Sequence, residues 1–212
     1  HSDVDNVDDK FQIVSSTASN NGYGNYTVDV NGVWVYTLDN SNATVDALAA
    51  GAALSDTFNV LATDGTSQTV TITITGANDA PTLSSSIIDA SIFEDAAYSF
   101  NSSAHFADVD TGDTAAYSAT GLPAGISINS TTGVISGTPS NAVVGSSSIA
   151  VSRADAAGAS VSDTYILTIV NVNDAPTVVS AIADASTNED AVYSYDASSN
   201  FIDIDLGDEL TY

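Results

Sequence analysis

The sequence lacks cysteine and methionine altogether, and Lys10 and Arg153 are the only lysine and arginine among its 212 residues. Without cysteine, disulfides, thiol nucleophiles and zinc–thiolate sites are excluded. With so few cations the formal net charge is −25, which disfavours nucleic-acid binding and electrostatic docking on anionic membranes. No run approaches the ~20 apolar residues of a transmembrane helix, so we expect no membrane insertion.

Despite its acidity, the chain has enough apolar material to build hydrophobic cores, since 43% of its residues are hydrophobic. Its acidic residues are mostly aspartate, which occurs 24 times, whereas glutamate occurs 3 times. Glutamate suits helix surfaces, whereas aspartate suits turns and the ligation of hard cations. The excess of aspartate therefore favours turns or cation sites over helix surfaces, and the role of these aspartates is central to the function.

Three sequence motifs recur 95 residues further along the chain. The motifs and their copies are Asn78–Thr82 and Asn173–Thr177, Glu94–Ala96 and Glu189–Ala191, and Phe106–Asp113 and Phe201–Asp208. A fixed spacing of this length indicates tandem domains. We predict a first repeat over 1–77 that lacks its first strand, a complete domain over 78–172, and the N-terminal half of a further domain over 173–212. Because the chain opens with His1 and within a repeat, we expect it to be a piece of a longer protein.

Segments in which apolar and polar residues alternate, rich in Val, Ile, Thr and Tyr, predict β-strands. These segments are Tyr26–Val30, Val33–Leu38, Thr57–Leu61, Val70–Thr75, Ile149–Ser152 and Asp163–Val170. Asn31-Gly32 predicts a two-residue hairpin turn, and Val45–Ala50 predicts a short helical turn capped by Thr44. The pattern as a whole predicts an all-β fold of tandem antiparallel Greek-key β-sandwiches in an elongated arrangement.

The pairs Asp108/Asp110 and Asp203/Asp205 have the pattern Asp-x-Asp, which places both carboxylates on one face of an extended loop. Their crowded negative charge is unfavourable until a divalent cation binds. Calcium takes about six to eight oxygen ligands, and the Asn-Asp pairs just before two of the prolines add amide and carboxylate oxygens. The residues therefore favour calcium sites, although aspartates in this pattern also occur in turns that bind no metal.

Several longer motifs resemble those of tandem repeats on bacterial surface adhesins. Residues 3–82 resemble a VCBS-type repeat, in the motifs Asn31–Asn40, Leu48–Gly51, Asp56–Phe58, Asp64-Gly65 and Val70–Pro81. Residues 78–172 resemble a dystroglycan-type cadherin-like domain, in the motifs Gly121–Ile126, Thr132–Pro139 and Asp163–Pro176. Residues 173–212 resemble the first half of another such domain. The resemblance implies calcium-dependent β-sandwich modules on large secreted adhesins, with roles in carbohydrate binding or cell association.

The resemblance to cadherins also implies which residues would hold calcium at each junction between repeats. The first junction would use Asn78, Asp79, the carbonyl of Ala80, Asp108, Asp110 and Asp155. The second would use Glu94, Asn173, Asp174, Asp203 and Asp205. Asp3, Asp5 and Asp64 would form a matching half-site on the first repeat. Because Ser136–Pro139 replaces the acidic motif of cadherins, we expect one or two ions per junction rather than three.

A group of aromatic residues and one histidine each allow a binding role or a structural one. Trp34 and Tyr36, together with Tyr23 and Tyr26, form either a sugar-stacking platform or part of a core, and core packing is favoured for Trp34. His105 is expected to be a half-buried turn residue, because a transition-metal site would need a second histidine nearby.

The leading hypothesis is a structural and adhesive segment of an extracellular or cell-surface bacterial adhesin, stiffened by calcium at its junctions. No nucleophile–base arrangement is evident, so we expect no enzymatic activity. One alternative is a calcium-dependent carbohydrate-binding module that takes a cell-surface glycan. A further alternative is a module that associates with another copy of itself through the edges of its sheets.

Overall fold

The computed structural model describes residues 10–205, which form an almost entirely β-structure. Asp3 and Asp5 therefore lie outside the described residues. The chain divides into two compact units. Of the described residues, the first unit comprises 10–84, Phe106–Ala116 and Arg153–Val161, and the second comprises Ser85–His105, Tyr117–Ser152 and 162–205. Between Lys10 and Asp205, no helix is long and apolar enough to cross a membrane.

The strands follow one another along the chain with short connections. In the first half they are β1 (Val14–Ala18), β2 (Gly24–Val28), β3 (Trp34–Leu38), β4 (Ala53–Leu61), β5 (Ser67–Thr75), β6 (Thr82–Leu83), β7 (Ala90–Phe93), β8 (Tyr98–Asn101) and β9 (Phe106–Ala107). In the second half they are β10 (Ala116–Thr120), β11 (Ile126–Ile128), β12 (Val134–Gly137), β13 (Gly145–Ala154), β14 (Ser160–Val170), β15 (Thr177–Val178) and β16 (Phe201–Ile202). Helical turns are α1 (Ala43–Asp46) and the 3-10 segments Ser102–His105, Asn141–Val143 and Ser198–Asn200.

The first unit is built from the antiparallel sheet β1-β2-β3 and the antiparallel pair β4-β5. Because side chains alternate across a strand, β4 buries Asp56, Phe58 and Val60 on one face. Phe58 and Val60 join Val28 of β2 in the core, and the ring of Tyr26 stacks on that of Phe58 with centroids 4.3 Å apart. The core of this unit therefore lies between the two sheets.

The second unit contains the sheets β10-β13-β14-β7 and β11-β12-β8. Alternate residues of β13 and β14 are buried, among them Val151, Tyr165, Leu167 and Ile169. The predicted all-β fold with antiparallel sheets is confirmed, and it carries one parallel pair, β7–β14, with Leu167 opposite Ala90. Parallel pairing needs a long connection, which the intervening strands of the unit provide.

The prediction of a two-residue turn at Asn31-Gly32 is wrong, because the turn between β2 and β3 is wider. The main-chain nitrogen of Asp29 donates to the carbonyl of Val33 at 2.9 Å. This bond closes the loop, which therefore extends from Asp29 to Val33. The Asp29 carboxylate accepts from the main-chain nitrogens of Asn31 and Val33 at 2.8 and 2.9 Å, and Gly32 adopts a φ of +81°. This side-chain acceptor, together with the left-handed glycine, stabilises the longer loop.

The helical turn predicted over Val45–Ala50 is wrong in its bounds and in its cap. Helix α1 covers Ala43–Asp46, because the Asn42 side chain accepts from the main-chain nitrogens of Thr44 and Val45. Asparagine is a good N-cap, so the helix starts directly after Asn42.

Candidate metal centres

The first acidic cluster consists of Asn78, Asp79, Asp108, Asp110 and Asp155, all within the first compact unit. These residues follow strands β5, β9 and β13, so three separate connections meet here. The Asn78 amide nitrogen donates to Asp155 Oδ2 at 2.9 Å. The main-chain nitrogen of Asp79 donates to Asp110 Oδ2 at 2.9 Å, and that of Asp110 donates to Asp108 Oδ1 at 3.1 Å. Five of the six residues predicted at the first junction are thus brought together.

Negative charge is crowded in the first acidic cluster. Burial raises the pKa of Asp79, and the charges of Asp110, Asp46 and Asp108 raise it further. Asp110 is 6% exposed, and its Oδ1 has no hydrogen-bond partner among the described residues. A buried carboxylate oxygen without a donor is costly, and a bound cation would satisfy it.

The second acidic cluster consists of Glu94, Asp95, Asp174, Asp203 and Asp205, all within the second compact unit. Carboxylate oxygens of Glu94, Asp95 and Asp174 lie within 4.8 Å of one another. The main-chain nitrogen of Asp174 donates to Asp205 Oδ2 at 2.6 Å, and that of Asp205 donates to Asp203 Oδ1 at 3.0 Å. The connections after β7, β14 and β16 therefore converge on one group of carboxylates.

Glu94 is the most deeply buried carboxylate of this cluster, at 2% exposed. Its Oε1 accepts from the main-chain nitrogen of Val172 at 2.8 Å. Its Oε2 has no hydrogen-bond partner within the described part of the chain. It lies beside two other carboxylates, and no lysine, arginine or histidine among residues 10–205 forms an ion pair with it.

An open cleft of about 480 Å³ adjoins the second acidic cluster. Asp95, Asp174 and Asp203 line it together with the apolar side chains of Ile202 and Ile204. Several carboxylates of the cluster are therefore accessible to a small ion.

The donor chemistry of both clusters fits a hard cation. Every side chain in them offers a carboxylate or an amide oxygen, and none offers the nitrogen of histidine or the sulfur of cysteine. Oxygen-only ligand sets suit calcium and magnesium rather than zinc or copper. Together with the unpartnered oxygens of Asp110 and Glu94, the residues present fit a divalent cation.

The sequence repeat is reproduced in the local geometry of the two clusters. Strands β6 and β9 pair with Thr82 opposite Ala107, and β15 and β16 pair with Thr177 opposite Ile202. Each hydrogen bond described above from Asp79 and Asp110 has its counterpart 95 residues later, from Asp174 and Asp205. Equivalent residues therefore form equivalent loops.

Three residues that belong to a cluster or contact one are absent from the predicted ligand sets. Asp95 belongs to the carboxylate group of the second cluster. Asn141 donates its amide to Asp205 Oδ1 at 2.9 Å. Arg153 Nη2 lies 3.4 Å from Asp108 Oδ2 in the first cluster. A sequence signal exists for Asp95, because the Glu-Asp pair recurs as Glu189-Asp190, and none exists for Asn141.

The remaining predicted ligands lie at the margins of the clusters or in turns. Ala80 is exposed between Asp79 and Pro81, and Asn173 donates its amide to the carbonyl of Asp174 at 2.9 Å. Asp64 is exposed, and its carboxylate accepts from the main chain and the hydroxyl of Thr66 at 2.8 and 3.1 Å. The turn interpretation thus describes Asp64 well. It also applies to Asp108, whose Oδ1 closes a turn while its Oδ2 faces Arg153.

Trp34 and Tyr36 lie beside the core of the first unit. Trp34 is 42% exposed and meets Phe58 edge-on with ring centroids 5.4 Å apart, so the expectation that it is a core residue is wrong. As the first residue of β3 it adjoins the exposed Asp29–Val33 loop. Tyr36 is half-buried and donates its hydroxyl to Asp56 Oδ2 at 2.8 Å.

The carboxylate of Asp56 is fully buried, at 0% exposed, and is surrounded by hydrogen-bond donors. The donors are the hydroxyls of Ser19 and Tyr36 and the main-chain nitrogens of Asn21, Tyr23 and Thr57. Burial raises the pKa of Asp56, but the hydrogen bonds outweigh it and hold the pKa below its ordinary value. Burial and the bond to Asp56 in turn raise the pKa of Tyr36 to about 12.

His105 ends a 3-10 turn and is half-buried, as predicted. Its Nδ1 lies 3.1 Å from the hydroxyl of Ser85, and its ring lies 5.6 Å from that of Phe100.

Comparisons with known proteins agree with this architecture. Residues 80–170 match the family model described as "Putative Ig domain". No curated protein matches the chain at a significant level. Human CDH23 EC21-23 is similar in structure, with a TM-score of 0.54 and 17% identity over 85% of this chain and 70% of that one. Mouse Cadherin-23 EC22-24 has a TM-score of 0.49 and 14% identity over 77% of this chain and 53% of that one.

Another similar structure belongs to a much longer protein, the endo-fucoidan hydrolase MfFcnA4 from glycoside hydrolase family 107. It has a TM-score of 0.39 and 22% identity over 77% of this chain, and this chain spans 24% of its length. The sheets described above and the similarity to the human cadherin structure agree on the fold. The described residues form cadherin-like and immunoglobulin-like β-sandwich structure, in which residues 80–170 match an Ig-domain family and carboxylates gather in the two clusters described above.

Proposed function

We propose that this chain is a calcium-stabilised structural and adhesive segment of a large bacterial adhesin, secreted or displayed on the cell surface, without enzymatic activity. Residues 1–77 form its VCBS-type repeat, residues 78–172 its dystroglycan-type cadherin-like domain, and residues 173–212 part of a further one. Calcium stiffens the junctions between these repeats.

One observation carries the proposal. Glu94 Oε2 is buried and unpartnered among the described residues, and it belongs to a group of three carboxylates whose oxygens lie within 4.8 Å. Such an arrangement is unfavourable in the absence of a cation. The oxygen-only donor set and the moderate exposure of its surroundings suit calcium, which tolerates varied geometry better than magnesium does.

The chain's own residues contribute the oxygen ligands and their positions. In the second acidic cluster Glu94, Asp95, Asp174, Asp203 and Asp205 would hold the ion, and the hydrogen bonds from Asp174 and Asp205 orient two of these loops. When bound, calcium supplies the positive charge that offsets the repulsion between the carboxylates. These ligands come from connections before and after residue 173, where the last repeat is predicted to begin. The ion would therefore order the junction between the second and the last repeat.

We expect Glu94→Gln to weaken calcium binding by about tenfold or more at the second acidic cluster, because the number of charged ligands tunes calcium affinity. The substitution keeps the size of the side chain and removes one charge. Isothermal titration with calcium chloride measures the effect, with an expected dissociation constant of about 10⁻⁴–10⁻³ M for the unmodified chain.

The matched control is Glu189→Gln, which makes the same chemical change at the equivalent position of the next repeat. Glu189 is exposed, so this variant is expected to bind calcium as the unmodified chain does. Equal calcium affinities of Glu94→Gln and Glu189→Gln would contradict the proposed site, and an unmodified chain that binds no calcium would contradict the proposed function.

A second candidate function is glycan binding, which the exposure of Trp34 favours. This residue is 42% exposed, its sequence neighbours Val33 and Val35 are exposed as well, and aromatic faces stack on sugars. In this case Trp34→Ala is expected to abolish retention of the chain on a bacterial-surface polysaccharide while the circular dichroism spectrum stays unchanged. Retention that persists in Trp34→Ala, or its absence in the unmodified chain, would count against this function.

A further inference from the structure

Arg153 is one of the two lysine or arginine residues in the whole chain, and its guanidinium lies against the first acidic cluster. Its side chain is buried, with Nη2 3.4 Å from Asp108 Oδ2. On β13 the buried positions alternate through Ile149 and Val151 to Arg153, and Asp155 is the next buried residue in the same alternation. A guanidinium at such a core-facing position is strongly unfavourable unless carboxylates compensate it.

The guanidinium and the carboxylates do not satisfy one another completely. Within the described residues, Arg153 Nε and Asp110 Oδ1 are both buried without a hydrogen-bond partner. The 3.4 Å separation from Asp108 is longer than the ~2.8 Å of a charge-assisted hydrogen bond. The first acidic cluster therefore holds one fixed positive charge and still has carboxylate oxygens available.

Within the described part of the chain, no positive charge is paired with the second acidic cluster. No lysine, arginine or histidine among residues 10–205 forms an ion pair with its carboxylates, and Asp205 receives the neutral amide of Asn141 instead. In the same part of the chain, Glu94, Asp95 and Asp174 are the one group that brings three carboxylate oxygens within 4.8 Å. The equivalent loops of the two clusters thus differ in their electrostatic balance.

We propose that Arg153 is an internal counter-ion that takes the place of one metal ion, so that the first acidic cluster binds calcium more weakly than the second and fills after it. This inference rests on the proposed function, since it presupposes that the clusters bind calcium. Its physical basis is the repulsion between a fixed unit charge and a divalent ion, which exceeds the thermal energy several-fold at close range and an effective dielectric constant of about 20.

The test isolates the first acidic cluster in the full chain. Glu94→Gln with Asp174→Asn removes two charges from the second cluster, and calcium chloride is then titrated into chains that differ at position 153. Arg153→Gln removes the charge and keeps an amide donor for Asp108, so we expect about tenfold tighter calcium binding or more. Arg153→Lys, the matched control that keeps the charge, is expected to stay within about threefold of the starting affinity.

Arg153→Met is a second neutral variant, similar in length and without polar atoms. We expect both neutral variants to melt at lower temperature in chelator and to regain their stability in millimolar calcium, since the ion takes over the role of the guanidinium. Unchanged affinity in Arg153→Gln, or failure of both neutral variants to fold even in calcium, would overturn this inference. A chain with both clusters intact that binds no calcium would instead overturn the proposed function, and the inference with it.

Discussion

Asp56→Ala is expected to destabilise the first unit by about 3–5 kcal/mol, because the carboxylate is the shared acceptor of a buried network and each donor left unsatisfied costs about 1–3 kcal/mol. Its removal leaves the hydroxyls of Ser19 and Tyr36 and the neighbouring main-chain N–H groups without their partner. Each buried donor left unsatisfied adds its own desolvation cost. Chemical denaturation followed by tyrosine and tryptophan fluorescence measures the loss.

The control for this substitution is Asp39→Ala. Asp39 also accepts a main-chain hydrogen bond, from Ser41 at 2.9 Å, but it is exposed to solvent. We expect its replacement to lower the free energy of unfolding by a small fraction of the loss at Asp56, since water can replace an exposed acceptor. Equal losses in the two variants would show that the buried network around Asp56 contributes no special stability.

The pH dependence of stability provides a second readout for Asp56. Its pKa in the folded chain is below the ordinary value of about 3.9, so the stabilisation is fully present above about pH 4. It is lost as the pH falls through the lower, folded-state pKa. The difference in unfolding free energy between the unmodified chain and Asp56→Asn should therefore shrink in acid. A difference that stays constant to pH 2 would contradict this assignment.

Removal of calcium is expected to lower the melting temperature of the unmodified chain by about 5–10 °C. At a calcium concentration 100 times the dissociation constant, binding to the folded state contributes about 2.7 kcal/mol per site. For a chain of this length each kcal/mol corresponds to about 2–4 °C. Differential scanning calorimetry in 10 mM calcium and in chelator measures the shift.

Two comparisons make the calcium experiment specific. Asp108→Ala combined with Asp110→Ala is expected to reduce the response to calcium, because it removes two carboxylates of the first acidic cluster. Magnesium at the same concentration is expected to restore less stability, since it dehydrates reluctantly and demands near-ideal octahedral geometry. A melting temperature that is the same in calcium and chelator would contradict a stabilising role for the metal.

The all-β fold was predictable because it depends on local periodicity. The alternation in Val70–Thr75 and Asp163–Val170 is visible in sequence, and both segments lie in strands of the structure. Bounds and caps were less predictable, because they depend on single side-chain acceptors. Asn42 starts α1, and Asp29 widens the β2–β3 turn, through hydrogen bonds that no periodic pattern encodes.

The candidate site was partly predictable, because a repeat of 95 residues marks the same positions twice. Asp79 with Asp110 and Asp174 with Asp205 are hydrogen-bonded in the same way in both copies. That these residues bind calcium stays a prediction. Arg153 was visible in the sequence only as one of two cations, since its ion pair with Asp108 joins residues that are distant along the chain.

By itself, the sequence determined that this protein is acidic, β-rich and repetitive, because composition and periodicity are properties of the chain. The tertiary structure decided what individual aspartates do, because that depends on which backbone donors and charges surround each one. Asp39 and Asp64 cap exposed turns, Asp56 anchors a buried network, and Asp110 keeps an unpartnered buried oxygen. Aspartates that are equivalent in composition thus have different roles, since burial and neighbouring charge differ at each position.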